Sequence, residues 1–395
     1  MGQILALAVV LHAWVGWRVA PSLAAFAPAD TALWLMLAFS AVLMPMSFLL
    51  RRRSKGPVAM AVTWAGLLFM GMFSTLFVLT VLRDALLVLA LLVAMPGTLV
   101  QVSADWLTGL QSWTALAVPV LGLVATVWGF WAARRTATVV RVDVPIAGLP
   151  AALHGFTLAQ ISDVHIGPTI KGTYVQRIVA RVNALNVDMV AITGDLIDGG
   201  VDELRRHVAP LAELVSRHGT FFVTGNHEYY SGAHAWITHL RSMGMHVLLN
   251  EHRVLQHDSG HLPEVGAAQR TPGTLVVAGV ADFSAHHFDE THRSDPAAAL
   301  AGAPAHSGLR LLLAHQPRSA QAASDAGFDL QISGHTHGGQ FWPWMYFVKY
   351  QQPFTAGLGR LENLWVYTNR GTGYWGPPKR FGVSSEITHL RLVMA

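Results

Sequence analysis

Four apolar runs fill the first third of the chain: Ile4–Ala20, Ala32–Leu50, Val58–Leu82 and Ala115–Ala133. A helix needs roughly 20 predominantly apolar residues to cross a bilayer, and these runs meet that length with few polar interruptions. Ile4–Ala20 is the shortest and carries His12 and Arg18. A further apolar run, Ala85–Val102, follows Arg83-Asp84 and is broken by Pro96-Gly97. It fits a fifth span, a re-entrant piece or a continuation of the third helix. The adjacent charges Arg83 and Asp84 read as a helix end at the interface, so anchoring, not transport, is the expected role of this region.

Charge follows the same division. Of 27 Lys and Arg and 23 Asp and Glu, only nine precede Arg134. A chain of 395 residues has room for two domains, and the distribution assigns residues 1–135 to a helical membrane region, 136–153 to a linker and 154–395 to a globular domain. Basic residues gather at Arg51-Arg52-Arg53-Ser54-Lys55 and at Arg134, Arg135 and Arg141. By the positive-inside rule both clusters face the cytoplasm, which requires an even number of spans between them. Four spans satisfy this and leave the globular domain on the cytoplasmic side. No basic n-region precedes the first run, which argues against a cleaved signal peptide. The net charge of +4 fits juxtamembrane arginine facing anionic lipid. Basic residues do not cluster with aromatics, so no nucleic-acid partner is expected.

After Arg141 the pattern changes to short apolar runs alternating with helical spacing. Phe156–Ser162, Met189–Thr193 and Thr220–Thr224 read as buried strands, with Val247–Leu249 a further short one. Thr173–Asn186, Val201–His218 and Ala233–Met243 read as helices between them. This βαβαβ order predicts an α/β domain with parallel strands. Leu255–Thr274 reads as a polar hairpin or loop.

Ligands of such sheets collect beyond the carboxyl ends of the strands, and polar residues stand there repeatedly. Phe156–Ser162 is followed by Asp163-Val164-His165, Met189–Thr193 by Gly194-Asp195, and Thr220–Thr224 by Gly225-Asn226-His227-Glu228. Leu309–Ala314 is followed by His315, and Phe328–Ser333 by Gly334-His335-Thr336-His337. Two residues spaced by two on extended chain point to one side, so each pair can address one small object. A single histidine pair on a chain with 20 histidines means little. Five strand ends carrying Asp, Asn or His together mean a metal centre.

With no cysteine, thiolate sites are excluded. Two aspartates, one asparagine and four histidines are too nitrogen-rich for calcium or a magnesium-only site and suit Mn²⁺, with Fe or Zn²⁺ as alternatives. Seven ligands exceed the needs of one catalytic ion, so two ions sharing a carboxylate are expected. Such a pair clamps the attacking and leaving oxygens of a displacement at phosphorus and makes hydroxide available near neutral pH. His227, beside Asn226, is the natural unligated histidine to protonate a departing oxygen.

Together, Asp163-x-His165, Gly194-Asp195, Gly225-Asn226-His227-Glu228, His315 and Gly334-His335-x-His337 resemble the calcineurin-like metallophosphoesterase superfamily, over about residues 154–393. The resemblance implies a four-layer α/β/β/α sandwich. It also implies that Asp163, His165, Asp195 and His337 hold one ion, that Asp195, Asn226, His315 and His335 hold the other, and that His227 is catalytic. The multi-span first part is similar to a membrane-anchored bacterial branch, which implies an inner-membrane location. It further implies a phosphorylated, lipid-linked substrate such as UDP-diacylglucosamine. The rival expectation is a metal-binding membrane sensor or scaffold without turnover; His227 argues against it, since a pure binder needs no unligated acid.

Two further stretches bear on substrate. Phe341-Trp342-Pro343-Trp344-Met345-Tyr346-Phe347 is either aromatic core or a lip that contacts acyl chains. Asn369–Gly373 and Pro377–Arg380 follow the strand Trp365–Thr368. They are either glycine-rich turns with solvated basic residues or a phosphate clasp, in which Arg380 is the substrate contact to test.

Overall fold

The computed structural model describes residues 2–53, 56–95, 103–258 and 273–395. The chain divides into two compact units: Met1–Arg134 with Gly376–Phe381, and Arg135–Trp375 with Gly382–Ala395.

The first unit contains α1 (Gly2–Leu23), α2 (Ala29–Arg53), α3 (Pro57–Val93) and α4 (Ala104–Arg134). All four are long and apolar enough to cross a membrane. Val15, Val19, Leu23, Leu37, Phe73, Leu76 and Val118 form their shared interior. Val10, Trp17, Phe39, Leu89, Val124 and Trp128 are exposed on the outside. Helices that are apolar on every face have lipid, not water, as their solvent. α3 starts on Pro57, whose missing N–H falls where the first turn has no acceptor for one.

Arg83-Asp84 does not end this helix, contrary to expectation; α3 continues to Val93. The reason is that both charges are partnered. Arg18 Nε donates to Asp84 Oδ2 at 2.7 Å, and the Arg83 guanidinium donates to the Arg18 carbonyl at 3.0 Å and the Ser22 hydroxyl at 2.9 Å. The apolar run after Asp84 is therefore, as far as Val93, a continuation of the third helix. Pro96-Gly97 and the rest of that run lie outside the described residues, as does Lys55 of the first basic cluster.

The second unit runs β1 (Thr138–Ile146), β2 (Thr157–Ile161), α5 (Gly172–Asn183), β3 (Met189–Thr193), α6 (Val201–Val208), β4 (Thr220–Val223), α7 (Asn226–Tyr230), α8 (Ala233–Ser242), β5 (His246–Val247), β6 (Glu251–His257), β7 (Gly273–Gly279), α9 (Pro296–Ala299), β8 (Leu309–Leu313), α10 (Ala320–Asp325), β9 (Leu330–Ser333), β10 (Gly357–Leu361), β11 (Leu364–Thr368) and β12 (Glu386–Met394). Two six-stranded sheets result, ordered β1-β12-β2-β3-β4-β5 and β10-β11-β9-β8-β7-β6. β2 to β5 are mutually parallel, as are β7, β8, β9 and β11.

The sheets pack face to face through one apolar core. Leu158, Met189, Ala191, Phe221 and Val223 come from the first sheet, and Leu275, Val277, Leu311, Leu313, Leu330 and Ile332 from the second. Each such side chain contributes about 1.5–3 kcal/mol when fully buried. Near the end of this core Gln160 on β2 donates to the Ser333 carbonyl on β9 at 2.9 Å, tying the sheets where the polar residues begin. Outside, α5 buries Tyr174, Val175, Ile178, Val179 and Val182, one face of a 3.6-residue period. Ala320 and Ala323 of α10 join Ala278 and Leu312 on the outer face of the second sheet. The layers are therefore α/β/β/α.

Two expectations are corrected, and the hairpin alternative for Leu255–Thr274 holds at its two ends. The stretch 136–153, read as a linker, holds strand β1, which pairs in parallel with β12 from Thr138↔Glu386 to Ile146↔Met394. Its partner lies at the other end of the domain sequence, so nothing local marks it as paired. The helix expected over Val201–His218 stops at Val208 and tightens to a 3₁₀ turn over Ala209–Glu213, because Pro210 cannot donate and crowds the preceding turn. The ends of the Leu255–Thr274 stretch are the arms of an antiparallel pair, with Leu255 opposite Leu275; residues 259–272 between them lie outside the described residues.

Candidate metal centre

Each sheet strand that ends at the polar edge hands a different side chain to one place. β2 leads into Asp163 and His165, β3 into Asp195, and β4 into Asn226 and His227. β8 leads into His315, and β9 into His335 and His337. Asp163, Asp195, His165, Asn226, His315 and His337 are all buried.

They form two adjoining groups. In the first, Asp163, His165 and His337 offer ligand atoms within 4.8 Å of one another. His165 Nε2 lies 3.0 Å from His337 Nε2, which is 3.4 Å from Asp163 Oδ1. In the second, Asp195, His315 and His335 meet the same limit. His315 Nε2 lies 3.2 Å from Asp195 Oδ2 and 3.2 Å from His335 Nδ1. Asp195 Oδ2 is also 3.9 Å from His165 Nε2, so this carboxylate stands between the groups.

The outer nitrogens are held by fixed partners. The Thr193 carbonyl faces His315 Nδ1 at 2.7 Å, and Asp198 Oδ1 faces His165 Nδ1 at 3.2 Å and His227 Nδ1 at 2.5 Å. An N–H donated outward leaves the inner nitrogen as a lone-pair donor, the tautomer a metal ligand requires. Asp198 was not singled out from the sequence. The only signal was its position three residues past Asp195, in a loop rather than at a strand end.

Glu228 is buried and accepts from three backbone N–H groups: Asp195 at 2.9 Å, Leu196 at 2.8 Å and Gly225 at 2.6 Å. It locks the loop after β3 against the turn after β4. Burial and the nearby Asp195 carboxylate push its carboxyl up to about 8 in spite of those donors. Burial disfavours the charged form of His227, but Asp195 and Asp198 outweigh it and raise the imidazole to about 9. His335 goes the other way: burial and the adjacent His315 push it down to about 3, leaving a neutral imidazole. Tyr230 and Trp375 stand edge-on to the His227 ring at centroid distances of 5.2 and 5.9 Å.

The backbone is unusual here. Asp163, His165, Asp195, His335 and His337 all have left-handed φ, at 55°, 54°, 50°, 70° and 51°. For non-glycine residues each such conformation costs of order 1–3 kcal/mol and persists only where the surroundings fix it. The bonds just described fix it, aided by His335 N–H donating to the Asp163 carboxylate at 3.0 Å. Gly334 is required for a different reason: a Cβ there would collide with the Ser162 hydroxyl and the Asp163 carboxylate.

The residues fit divalent cations. Imidazole nitrogens face one another in pairs that can share only one proton, and they do so around buried carboxylates. Asn226 Oδ1 is buried with no hydrogen-bond partner, a state that is costly for an amide oxygen unless a cation satisfies it. The ligand set is all nitrogen and oxygen, as borderline first-row ions prefer.

Arg380, the substrate contact expected from the sequence, lies in a segment grouped with the helices. Gly376–Phe381 belongs to the first unit; there Arg380 N–H donates to the Gly129 carbonyl at 2.9 Å, and Lys379 Nζ donates to the Gly71 carbonyl at 2.9 Å and to the Thr75 hydroxyl. The Asn369–Gly373 turn is structural: Thr372 and Gly373 N–H groups donate to the carbonyls of Ser162 and Asp163 at 2.7 and 3.1 Å, bracing the first ligand loop. In the aromatic stretch Phe341 is buried, but Trp344, Tyr346 and Phe347 are 42%, 57% and 53% exposed. The second half of the stretch is therefore exposed and not core.

A two-sheet sandwich whose strand ends converge on paired Asp/His clusters defines a metallophosphoesterase. Residues 156–339 match the calcineurin-like phosphoesterase family, and the chain belongs to that family. A metallophosphoesterase of Aquifex aeolicus is 31% identical over 225 residues, covering 55% of this chain and 78% of that protein. The transmembrane protein with metallophosphoesterase domain of Danio rerio is 38% identical over 287 residues, 71% of this chain and 63% of that protein. A metallophosphoesterase of Campylobacter jejuni is 34% identical over 262 residues, 66% of this chain and 64% of that protein. The chain thus spans just under two thirds of the length of the last two.

Proposed function

We propose that this chain is a membrane-anchored phosphoesterase with two divalent ions, one held by Asp163, His165, Asp195 and His337 and the other by Asp195, Asn226, His315 and His335. The observation that carries this reading is the pair of adjoining ligand groups with Asp195 between them and the Asn226 amide oxygen orphaned beside them. The ion pair supplies Lewis acidity at phosphorus and an acidified water when bound, and manganese suits the donor set, with iron or zinc next.

The remaining chemistry belongs to the protein. Asp198 holds His227 Nδ1, so the proton on Nε2 is aimed inward. His227 therefore donates a proton to the departing oxygen as the bond to phosphorus breaks. Tyr230 and Trp375 stand edge-on to the imidazole. Asp198→Asn is expected to reduce turnover about 10–100-fold, the usual scale for a partner that orients a ligand or acid. Comparing kcat with KM and metal content checks this, since Asp198 should act through kcat and the His165 side of the centre.

We further propose that residues 1–135 anchor the protein in a bacterial inner membrane, that 154–395 carry the chemistry, and that the catalytic part faces the cytoplasm. Two helices, α3 and α4, between the two basic clusters support that sidedness. The substrate is a phosphoester or pyrophosphate, lipid-linked in this reading. The exposed aromatic residues Trp344, Tyr346 and Phe347, on a chain that also carries membrane-length helices, support it.

The test is a panel of nucleotide phosphodiesters, phosphomonoesters and lipid pyrophosphates, UDP-diacylglucosamine among them, given to purified full-length protein with Mn²⁺. Manganese-dependent turnover that chelator abolishes is the expected result. Two tightly bound ions with no turnover on any substrate would instead identify a metal-binding sensor or scaffold. Trp344→Ala/Phe347→Ala is expected to lower kcat/KM for a lipid pyrophosphate several-fold more than for its water-soluble headgroup analogue; equal losses on both would remove the lipid-linked assignment.

A further inference from the structure

A second convergence of ligand-type side chains lies outside the centre described above. One nitrogen or oxygen from each of His234, Asp289 and His292 falls within 4.8 Å of the other two. His234 is in the first turn of α8, while Asp289 and His292 bracket a short 3₁₀ turn over Glu290–His292. His234 Nε2 is 3.0 Å from Asp289 Oδ2, and the His234 and His292 ring centroids are 5.1 Å apart.

Each of the three is oriented by a separate contact. Asp289 Oδ1 accepts from the Thr291 N–H at 2.9 Å and the Thr291 hydroxyl at 2.6 Å, which turns Oδ2 towards His234. His292 Nδ1 lies 2.8 Å from the Tyr229 hydroxyl, so one imidazole nitrogen has its oxygen partner and the other remains for a ligand. A metal-bound histidine has this arrangement, with its outer ring nitrogen bonded to an oxygen. The His234 side chain is 74% exposed, giving an ion an entry path.

We propose that His234, Asp289 and His292 form a zinc site distinct from the catalytic pair. Two nitrogens and one carboxylate oxygen are a borderline donor set, poor for calcium or magnesium and good for zinc. Ligand atoms about 2.0–2.1 Å from a tetrahedral zinc lie roughly 3.4 Å apart, close to the separation already present between His234 and Asp289. Water completes the fourth position. The ion ties the start of α8 to the 290–292 turn. Through the His292–Tyr229 bond it also braces α7, on which Asn226 and His227 stand. Phe288 lies in the same turn region, with its ring 5.5 Å from that of Tyr230, so the brace reaches the aromatic that flanks His227.

The experiment measures zinc per chain in full-length protein equilibrated with zinc and freed of excess, compared with His234→Ala and His234→Ala/His292→Ala. Each variant is expected to hold about one equivalent less than the parent. The count is a difference between proteins that share the same catalytic ligands, so it does not depend on how those are filled. A second arm uses cobalt in the Asp195→Asn background: the intense visible absorption of a four-coordinate ion is expected there and diminished when His234→Ala is added. His234 is a surface residue, so its removal leaves folding intact, which circular dichroism verifies. Equal zinc content in parent and variants, or a cobalt spectrum indifferent to His234, would overturn the site and leave an ordinary His–Asp hydrogen-bonded cluster.

Discussion

Asp195→Asn is expected to take hydrolysis to background, a loss at or beyond the top of the about 10²–10³-fold scale seen when one preorganised electrostatic group at the reacting centre is removed. Its Oδ2 faces His315 Nε2 at 3.2 Å and His165 Nε2 at 3.9 Å, and its Oδ1 accepts from the His227 N–H at 2.8 Å. The amide keeps the shape and can still accept that backbone bond, so the fold should survive. What disappears is the negative charge that two cations would share. Metal analysis should show fewer than two ions per chain, and Mn²⁺-dependent phosphodiester hydrolysis should vanish with them. A variant that keeps two ions and normal turnover would exclude a shared carboxylate.

His227→Asn should separate chemistry from metal binding. Its Nδ1 is engaged by Asp198; its ring clusters with His165 and Asp195, but its Nε2 is 4.0 Å from Asp195 Oδ2, further than the 3.2 Å of His315 Nε2. Loss of a positioned general acid costs about 10²–10⁴-fold. That loss should fall on kcat, with both ions retained. It should also depend on the leaving group. An aryl phosphodiester whose phenolate departs without a proton should suffer least, and an alkyl ester most. A fall in metal content instead would make His227 a ligand.

Much of the centre was legible because strands end where apolar runs end. Met189–Thr193 is a strand with the limits read from its composition, and the polar residues after each apolar run stand at the strand ends the structure shows. The partners of those residues were not legible. Asp198 looks like any loop aspartate, and only its 2.5 Å approach to His227 distinguishes it. Glu228 reads as a neighbour of His227 until its three backbone donors are seen. The pairing of β1 with β12 joins segments about 250 residues apart, beyond any local pattern. Arg83-Asp84 misled because the sequence shows a charge but not the Arg18 that neutralises it.

The left-handed backbone at five of the ligand positions has a consequence for which amino acids could serve there. Aspartate, asparagine and histidine enter this region more readily than other residues, whereas β-branched and bulky ones are outliers. Glutamate could supply the same carboxylate chemistry, but it would reach from further back with one more rotatable bond and would lack that backbone tolerance. The donor alphabet of this centre is thus written twice, once by the preferences of the ion and once by the torsion angles of the turns. Grafting the same seven side chains onto ordinary extended loops would reproduce the composition and lose the constellation.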